Sequence, residues 1–272
     1  MHRIPRLTTL MSWVLAVQAT VVTSTWGQEP LPVERPAGFR SIEGYTTLHK
    51  LNAGYSDWRE IGVRATMSTG QHQWHVEAAT MNRFDLDGSY GAISDTFIID
   101  PDWYASVSIG KGNGAIYLPD YRVDGFIHRK FLSDRSLVGN LGWGRYKAPD
   151  GHQDDNLNVG FTYYLDMPLV LQGEARRIQS RPGDINSNQF FLAATWGHAG
   201  GFLLTVRRGW GQEGYQAIGA TQSITGYASN QVSVSYKHWV ERDWGWIAIL
   251  ENYRNPYYQR DGIGLSLFKE LP

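Results

Sequence analysis

The sequence predicts an all-β protein, a transmembrane antiparallel up-and-down β-barrel of about 14 strands. Three observations predict it. Runs of about ten residues alternate apolar and polar side chains, and a tilted strand needs about that length to cross a bilayer. The 272 residues include 11 Trp, 15 Tyr and 10 Phe, and such rings gather where lipid meets water. Short and longer connections rotate along the chain, as expected for turns on one side of a membrane and loops on the other. A soluble carbohydrate-binding sandwich is equally rich in aromatics, but it has no reason to keep two connection lengths in rotation.

The first residues carry a different signal. His2, Arg3 and Arg6 precede an apolar stretch over 10–22, broken only by Ser12, Gln18 and Thr20, and Thr25, Trp26 and Gly27 follow. Basic, apolar and small segments in that order predict a cleaved secretory signal peptide over 1–27. The apolar run is shorter than the roughly 20 residues a membrane-spanning helix needs. The chain has no cysteine, which excludes a cysteine-linked lipid anchor, disulfides and thiolate metal sites. A net charge of −1, from 25 basic and 26 acidic residues, excludes the global field that nucleic acid would call for. Mean hydropathy is −0.37 although 42% of residues are hydrophobic, so apolar residues are interleaved with polar ones rather than blocked together. Pro30, Pro32 and Pro36 mark 28–43 as an extended periplasmic leader, with the outer-membrane barrel over 44–272.

The alternation defines the strands. Within 58–68, Ile61, Val63, Ala65 and Met67 share one face and Glu60, Arg64 and Thr66 the other. Within 73–83, Trp74, Val76, Ala78 and Thr80 oppose Gln73, His75, Glu77 and Arg83. The runs 156–165 and 231–238 repeat the pattern, through Leu157, Val159 and Phe161 and through Val232, Val234 and Tyr236. Counting each run once gives strands near 44–53, 57–68, 71–83, 87–99, 102–111, 121–132, 136–146, 153–165, 168–179, 188–197, 201–210, 230–240, 244–254 and 261–271. Longer links are expected at 84–87, 112–120, 147–153, 180–187, 211–227 and 255–261. The segment 215–224 has strand character, but an extra strand would break the even count that keeps both termini on the periplasmic side, so it reads as external loop.

Parity also assigns the interior. With Ile61 and Val63 toward lipid, the lumen-lining residues, offered also as ligand contacts, are Glu60, Arg64, His75, Glu77, Arg122, Asp124, Glu174 and Arg176, with His128, Lys130 and Lys237 on the same face. Inward acids and bases are nearly balanced, which predicts pairing rather than ion selection, because an unpaired charge in a narrow space is strongly disfavoured. No Ser–His–acid spacing identifies a nucleophile. Glu77 and Glu174 could flank a glycosidic bond only at a separation the sequence does not give. Asp154, Asp155 and Asp184 read as solvated loop charge, and Gly-Lys-Gly-Asn-Gly at 110–114 as a flexible external loop lacking phosphate-loop spacing. Trp58, Trp74, Trp103, Trp244 and Trp246 are assigned to girdles at strand ends. No catalytic residue, metal site or cofactor is expected.

Asn82-Arg83-Phe84, Gly88 four residues on, Asp102-Trp103-Tyr104-Ala105, Leu118-Pro119-Asp120-Tyr121-Arg122 and the last hairpin, 244–253 with 262–268, stand in an order and spacing that resembles the YaiO family of outer-membrane β-barrels. The likeness extends over about 45–271. It implies an outer-membrane location, contact with outer-membrane lipid and the barrel assembly machinery, and association with envelope polysaccharide or a polysaccharide-secretion complex. It implies no enzymatic activity and transfers no catalytic residue. Family members end on an aromatic residue. Here Ile263, Leu265 and Leu267 alternate correctly, but Lys269, Leu271 and Pro272 follow. The expected function is therefore an accessory or transport barrel, porin-like in form, for export or display of envelope polysaccharide. The alternative is an outer-membrane-embedded hydrolase or lipid-modifying enzyme.

Overall fold

The computed structural model describes residues 35–218 and 222–271. The expected signal peptide and the first part of the leader lie outside them. Fourteen strands make one closed barrel: β1 (Arg35–Leu51), β2 (Trp58–Gly70), β3 (His72–Arg83), β4 (Leu86–Ile98), β5 (Trp103–Asn113), β6 (Tyr121–Phe131), β7 (Leu137–Lys147), β8 (Gln153–Tyr164), β9 (Leu169–Arg181), β10 (Ile185–His198), β11 (Phe202–Ala217), β12 (Ser223–Trp239), β13 (Trp244–Arg254) and β14 (Gln259–Glu270). Each strand pairs antiparallel with its neighbour in sequence, and β1 closes the ring against β14 from Ser41↔Glu270 to Leu51↔Arg260. Closure leaves no open sheet edge, a condition for strands in hydrocarbon. The end carrying the start of β1 and the finish of β14 is termed proximal, and the other end distal.

Three expectations are corrected. Strand β1 begins at Arg35, so 35–43 belong to the barrel wall rather than to a leader, and a register shift between Phe39 and Ser41 fits the irregular start onto β2. The segment 215–224 forms no extra strand: Tyr215↔Thr225, Gln216↔Ile224 and Ala217↔Ser223 extend the β11–β12 hairpin on either side of the connection, and the even count survives. The rotation of long and short connections also disappears, because half of the residues read as distal loop continue the ladder. The distal connection after β9, for example, holds only 182–184, no longer than the proximal 199–201 after β10.

The outer face is apolar. Every strand except β9 places at least one exposed aliphatic or aromatic side chain there, and Ile61, Val63, Leu250 and Leu267 are 63%, 56%, 61% and 65% exposed. A soluble protein tolerates no such continuous patch, so this belt is the lipid contact. A proximal girdle joins it. Arg129 lies 5.1 Å over the Trp103 ring, Trp196 meets Phe202 edge-on at 5.7 Å, and Trp246 packs on Tyr236 at 5.5 Å.

Inside, some cross-strand neighbours interlock by size. Gly142 faces Phe126, and a Cβ there would fall within the ring. Gly142→Leu should therefore lower stability by about 1–3 kcal/mol through overpacking, read as a lower urea midpoint in detergent micelles. An unchanged midpoint would place the Phe126 ring elsewhere.

Candidate functional site in the barrel interior

The interior has two zones. In the middle of the barrel, charged residues lie along the wall in separate groups. On β1–β3, Arg64 sits 3.0 Å from Glu77 and 3.4 Å from Glu43, while the Tyr45 hydroxyl donates to Glu77 at 2.7 Å and to Glu60 at 3.0 Å. Arg83 completes that group through Glu60 at 2.9 Å. On β6, the Arg122 guanidinium donates to both Asp124 oxygens, at 2.6 and 3.2 Å. On β8–β9, Arg176 donates to Glu174 and to Asn158, each at 2.8 Å. All but one of these links join neighbouring strands or residues two apart on one strand, and the exception, Tyr45 to Glu77, reaches from β1 past β2 to β3, so the pairs follow the wall instead of crossing to the far side of the lumen. Glu174 keeps 28% of its side chain exposed and Arg64 16%, consistent with a narrow hydrated space between the groups.

The structure thus places all eight sequence-derived lining residues on the inner face. It brings Glu60, Arg64 and Glu77 together, pairs Arg122 with Asp124 and Glu174 with Arg176, and sets His75 apart, its Nδ1 3.1 Å from the Thr66 hydroxyl. His128 stacks on Tyr104 at 4.3 Å, Lys130 donates to the Pro101 carbonyl at 2.5 Å, and Lys237 stands over the Trp239 and Phe268 rings beside Glu270.

Two clusters of buried side chains occupy the distal zone. The Gly-Lys-Gly-Asn-Gly run at 110–114, expected as a flexible external loop, instead finishes β5 through Asn113, and the connection 114–120 turns inward. Gly114 makes the turn at φ +93°, where a Cβ would meet the Asp87 carbonyl at 2.9 Å. Tyr117 and Leu118 reach the interior, 2% and 1% exposed. The Tyr117 hydroxyl donates to the carbonyls of Met81 at 3.0 Å and Leu86 at 2.8 Å, and burial pushes its pKa up to about 12. Around it pack Tyr45 of β1, Met81 of β3, Tyr146 of β7 and Tyr215 of β11. These strands are not neighbours in the ring, so their contact crosses the lumen.

A second cluster lies at the same end. Trp58 meets Phe84 edge-on at 5.1 Å and packs near Tyr258 at 6.5 Å, with Tyr227 and Tyr253 behind. Two guanidinium groups hold Trp58: Arg260 at 4.4 Å and Arg83 at 5.0 Å from its centroid. Arg260 is 2% exposed and pairs with buried Glu251 at 2.6 Å. Buried Glu213 accepts from the Tyr227 and Tyr253 hydroxyls, at 3.0 and 2.9 Å. Trp58, assigned to a girdle by its place at a strand end, is therefore an inner residue, 4% exposed.

Asp154 and Asp155 are also corrected. They open β8 rather than lying in a loop. Asp155 points outward and pairs with Arg145 at 2.7 Å and Arg181 at 3.1 Å. Asp154 points inward, 2.8 Å from the fully buried His152, which stacks on Tyr215. Exposed Asp184 lies 3.6 Å from Arg181. Sequence reasoning missed Trp58, Tyr117, His152 and Arg260. Parity was available for Trp58 and Arg260; Tyr117 and His152 lie in connections where parity does not apply.

A closed antiparallel ring, a lipid-facing apolar belt and a polar interior define an outer-membrane β-barrel of porin type. The YaiO membrane beta barrel domain matches residues 40–216, and the chain belongs to that family. No curated protein sequence matches it. Among solved structures it is similar to a "Bacterial polysaccharide outer membrane secretin", with a TM-score of 0.54, 9% identity, and coverage of 89% of this chain and 100% of that one. It is also similar to Pseudomonas aeruginosa OpdQ, with a TM-score of 0.50, 10% identity, and coverage of 88% and 99%. For Pseudomonas aeruginosa OpdO the TM-score is 0.50, the identity 11%, and the coverage 86% and 96%. At such identities these likenesses concern the fold alone.

Proposed function

We propose that this chain is an accessory or transport barrel serving the export or display of envelope polysaccharide, and that the distally closed form is its resting state. The observation that carries this reading is the arrangement of the interior: charges compensated along the wall, beneath a closure of stacked rings and guanidinium groups. A compensated wall exerts little selection by sign of charge. Rings such as Trp58, Phe84 and Tyr258 offer the flat apolar faces on which sugar rings stack. The family resemblance points the same way, and so does the polysaccharide named for the similar secretin, although its likeness to this chain concerns the fold alone.

The test is genetic. Cells lacking the protein are expected to lose exported or surface polysaccharide and to regain it with the wild-type chain; unchanged polysaccharide would contradict the proposal. The hydrolase reading has one observation in its favour, the Ser106 hydroxyl 3.4 Å from His128 Nε2. At that distance the contact is weak, and Tyr104 stacks on the same imidazole. Ser106→Ala is expected to restore polysaccharide as fully as the wild type does. A null phenotype from that folded variant would favour the enzyme.

A further inference from the structure

We infer that the outer surface at the barrel seam, where β14, β1 and β2 meet at the distal end, binds the phosphorylated headgroup of a lipid in the surrounding leaflet. A groove of about 620 Å³ opens there, within the range of built small-molecule sites. Its membrane-side floor is apolar. Leu48 and Ile263 are register partners across the seam and are 51% and 48% exposed. Lys50 stands one outward position further toward the distal end, and Arg59 lies opposite Leu48 on β2.

Two carboxylates, Asp57 and Asp261, also line the groove, and each is already engaged by neutral donors. Asp261 accepts from the side-chain amides of Asn252 at 2.5 Å and Gln259 at 2.9 Å, while Asp57 accepts from the Leu51 backbone N–H at 3.2 Å. Neither Lys50 nor Arg59 has an ion pair or hydrogen bond among the described residues. Lys50 is the register partner of Asp261 yet makes no ion pair with it, and two unbonded cations above two aliphatic side chains in contact with the bilayer form an amphipathic socket. Its chemistry matches a phosphate over acyl chains: cations with charge-assisted hydrogen bonds for the phosphate, and Leu48 with Ile263 for the chains. Snorkelling alone would also carry long basic side chains to the interface. It does not account for acids within the same groove being bonded to amides instead of to the bases.

The full chain is reconstituted in phosphatidylcholine nanodiscs containing a minor fraction of lipid A, and the lipid retained is read by native mass spectrometry. The wild type is expected to retain lipid A over phosphatidylcholine. The double variant Lys50→Gln/Arg59→Gln should weaken retention roughly 30-fold, equivalent to about 1 kcal/mol for each lost cation. Lys111→Gln, another outward base, should change nothing. Equal retention by the double variant, or equal loss from Lys111→Gln, would overturn the site. Displacement of lipid A by millimolar inorganic phosphate would overturn its assignment to a lipid. Heat-shifted gel mobility shows that each variant is folded. If the double variant does not insert, each single variant is expected to lose about fivefold, and the absence of loss from both would equally overturn the proposal.

Discussion

Val63→Arg is expected to destabilise the inserted barrel by about 2–4 kcal/mol, whereas Thr66→Arg should cost much less. Val63 stands near the middle of β2, 56% exposed on the face it shares with Ile61, with Gly44 and Ala78 as cross-strand partners. A guanidinium at that depth has only hydrocarbon around it. Thr66 is three residues on, and the pleat turns it inward, where its hydroxyl meets His75. An arginine at 66 can use the hydrated lumen. Urea unfolding from lipid vesicles measures both. Equal effects would mean that the two faces of β2 do not differ in environment, and the lipid belt would be wrongly placed.

Glu251→Leu should have a comparable or larger effect, about 3–5 kcal/mol, because it leaves Arg260 charged, buried and without its carboxylate. The pair lies at 2.6 Å with side chains 2% and 4% exposed, and Gln231 also donates to Glu251 at 3.0 Å. Adding Arg260→Met to Glu251→Leu should recover most of the loss, since replacing both members of a buried pair by apolar groups is far milder than removing one. The double-mutant cycle in detergent micelles reads this directly. A double variant as unstable as the single would assign the effect to lost packing on Trp58 rather than to the stranded charge.

The barrel wall was largely legible in the sequence because period-two alternation is a local property. The residues that placed Ile61 and Val63 outside and Glu60 and Arg64 inside did so without reference to any distant contact. The same rule extends to strand ends. Trp58 has the parity of Glu60, and Asp154 that of Asn156 and Asn158, so parity puts both inside although each stands at a strand end. The distal closure is another matter. Tyr117 and Leu118 enter the lumen because Gly114 permits the turn and because Tyr146 and Tyr215, on strands far apart in the ring, leave a place for them. Nothing within 114–120 encodes that meeting. The ends of strands were also hard to read, since polar residues such as Gln212 and Ser223 pair in a ladder outside the apolar belt as readily as they form a loop. The eight lining residues were placed by parity, but their grouping into separate wall clusters depends on register.

Fourteen strands enclose a lumen whose distal end holds two clusters of packed rings while its charges pair along the wall. In planar-bilayer recording of the purified protein, the wild type is expected to be nearly silent, with measurable conductance once the rings are loosened by Trp58→Ala together with Tyr117→Ala. A large, steady conductance from the unmodified protein would contradict that packing.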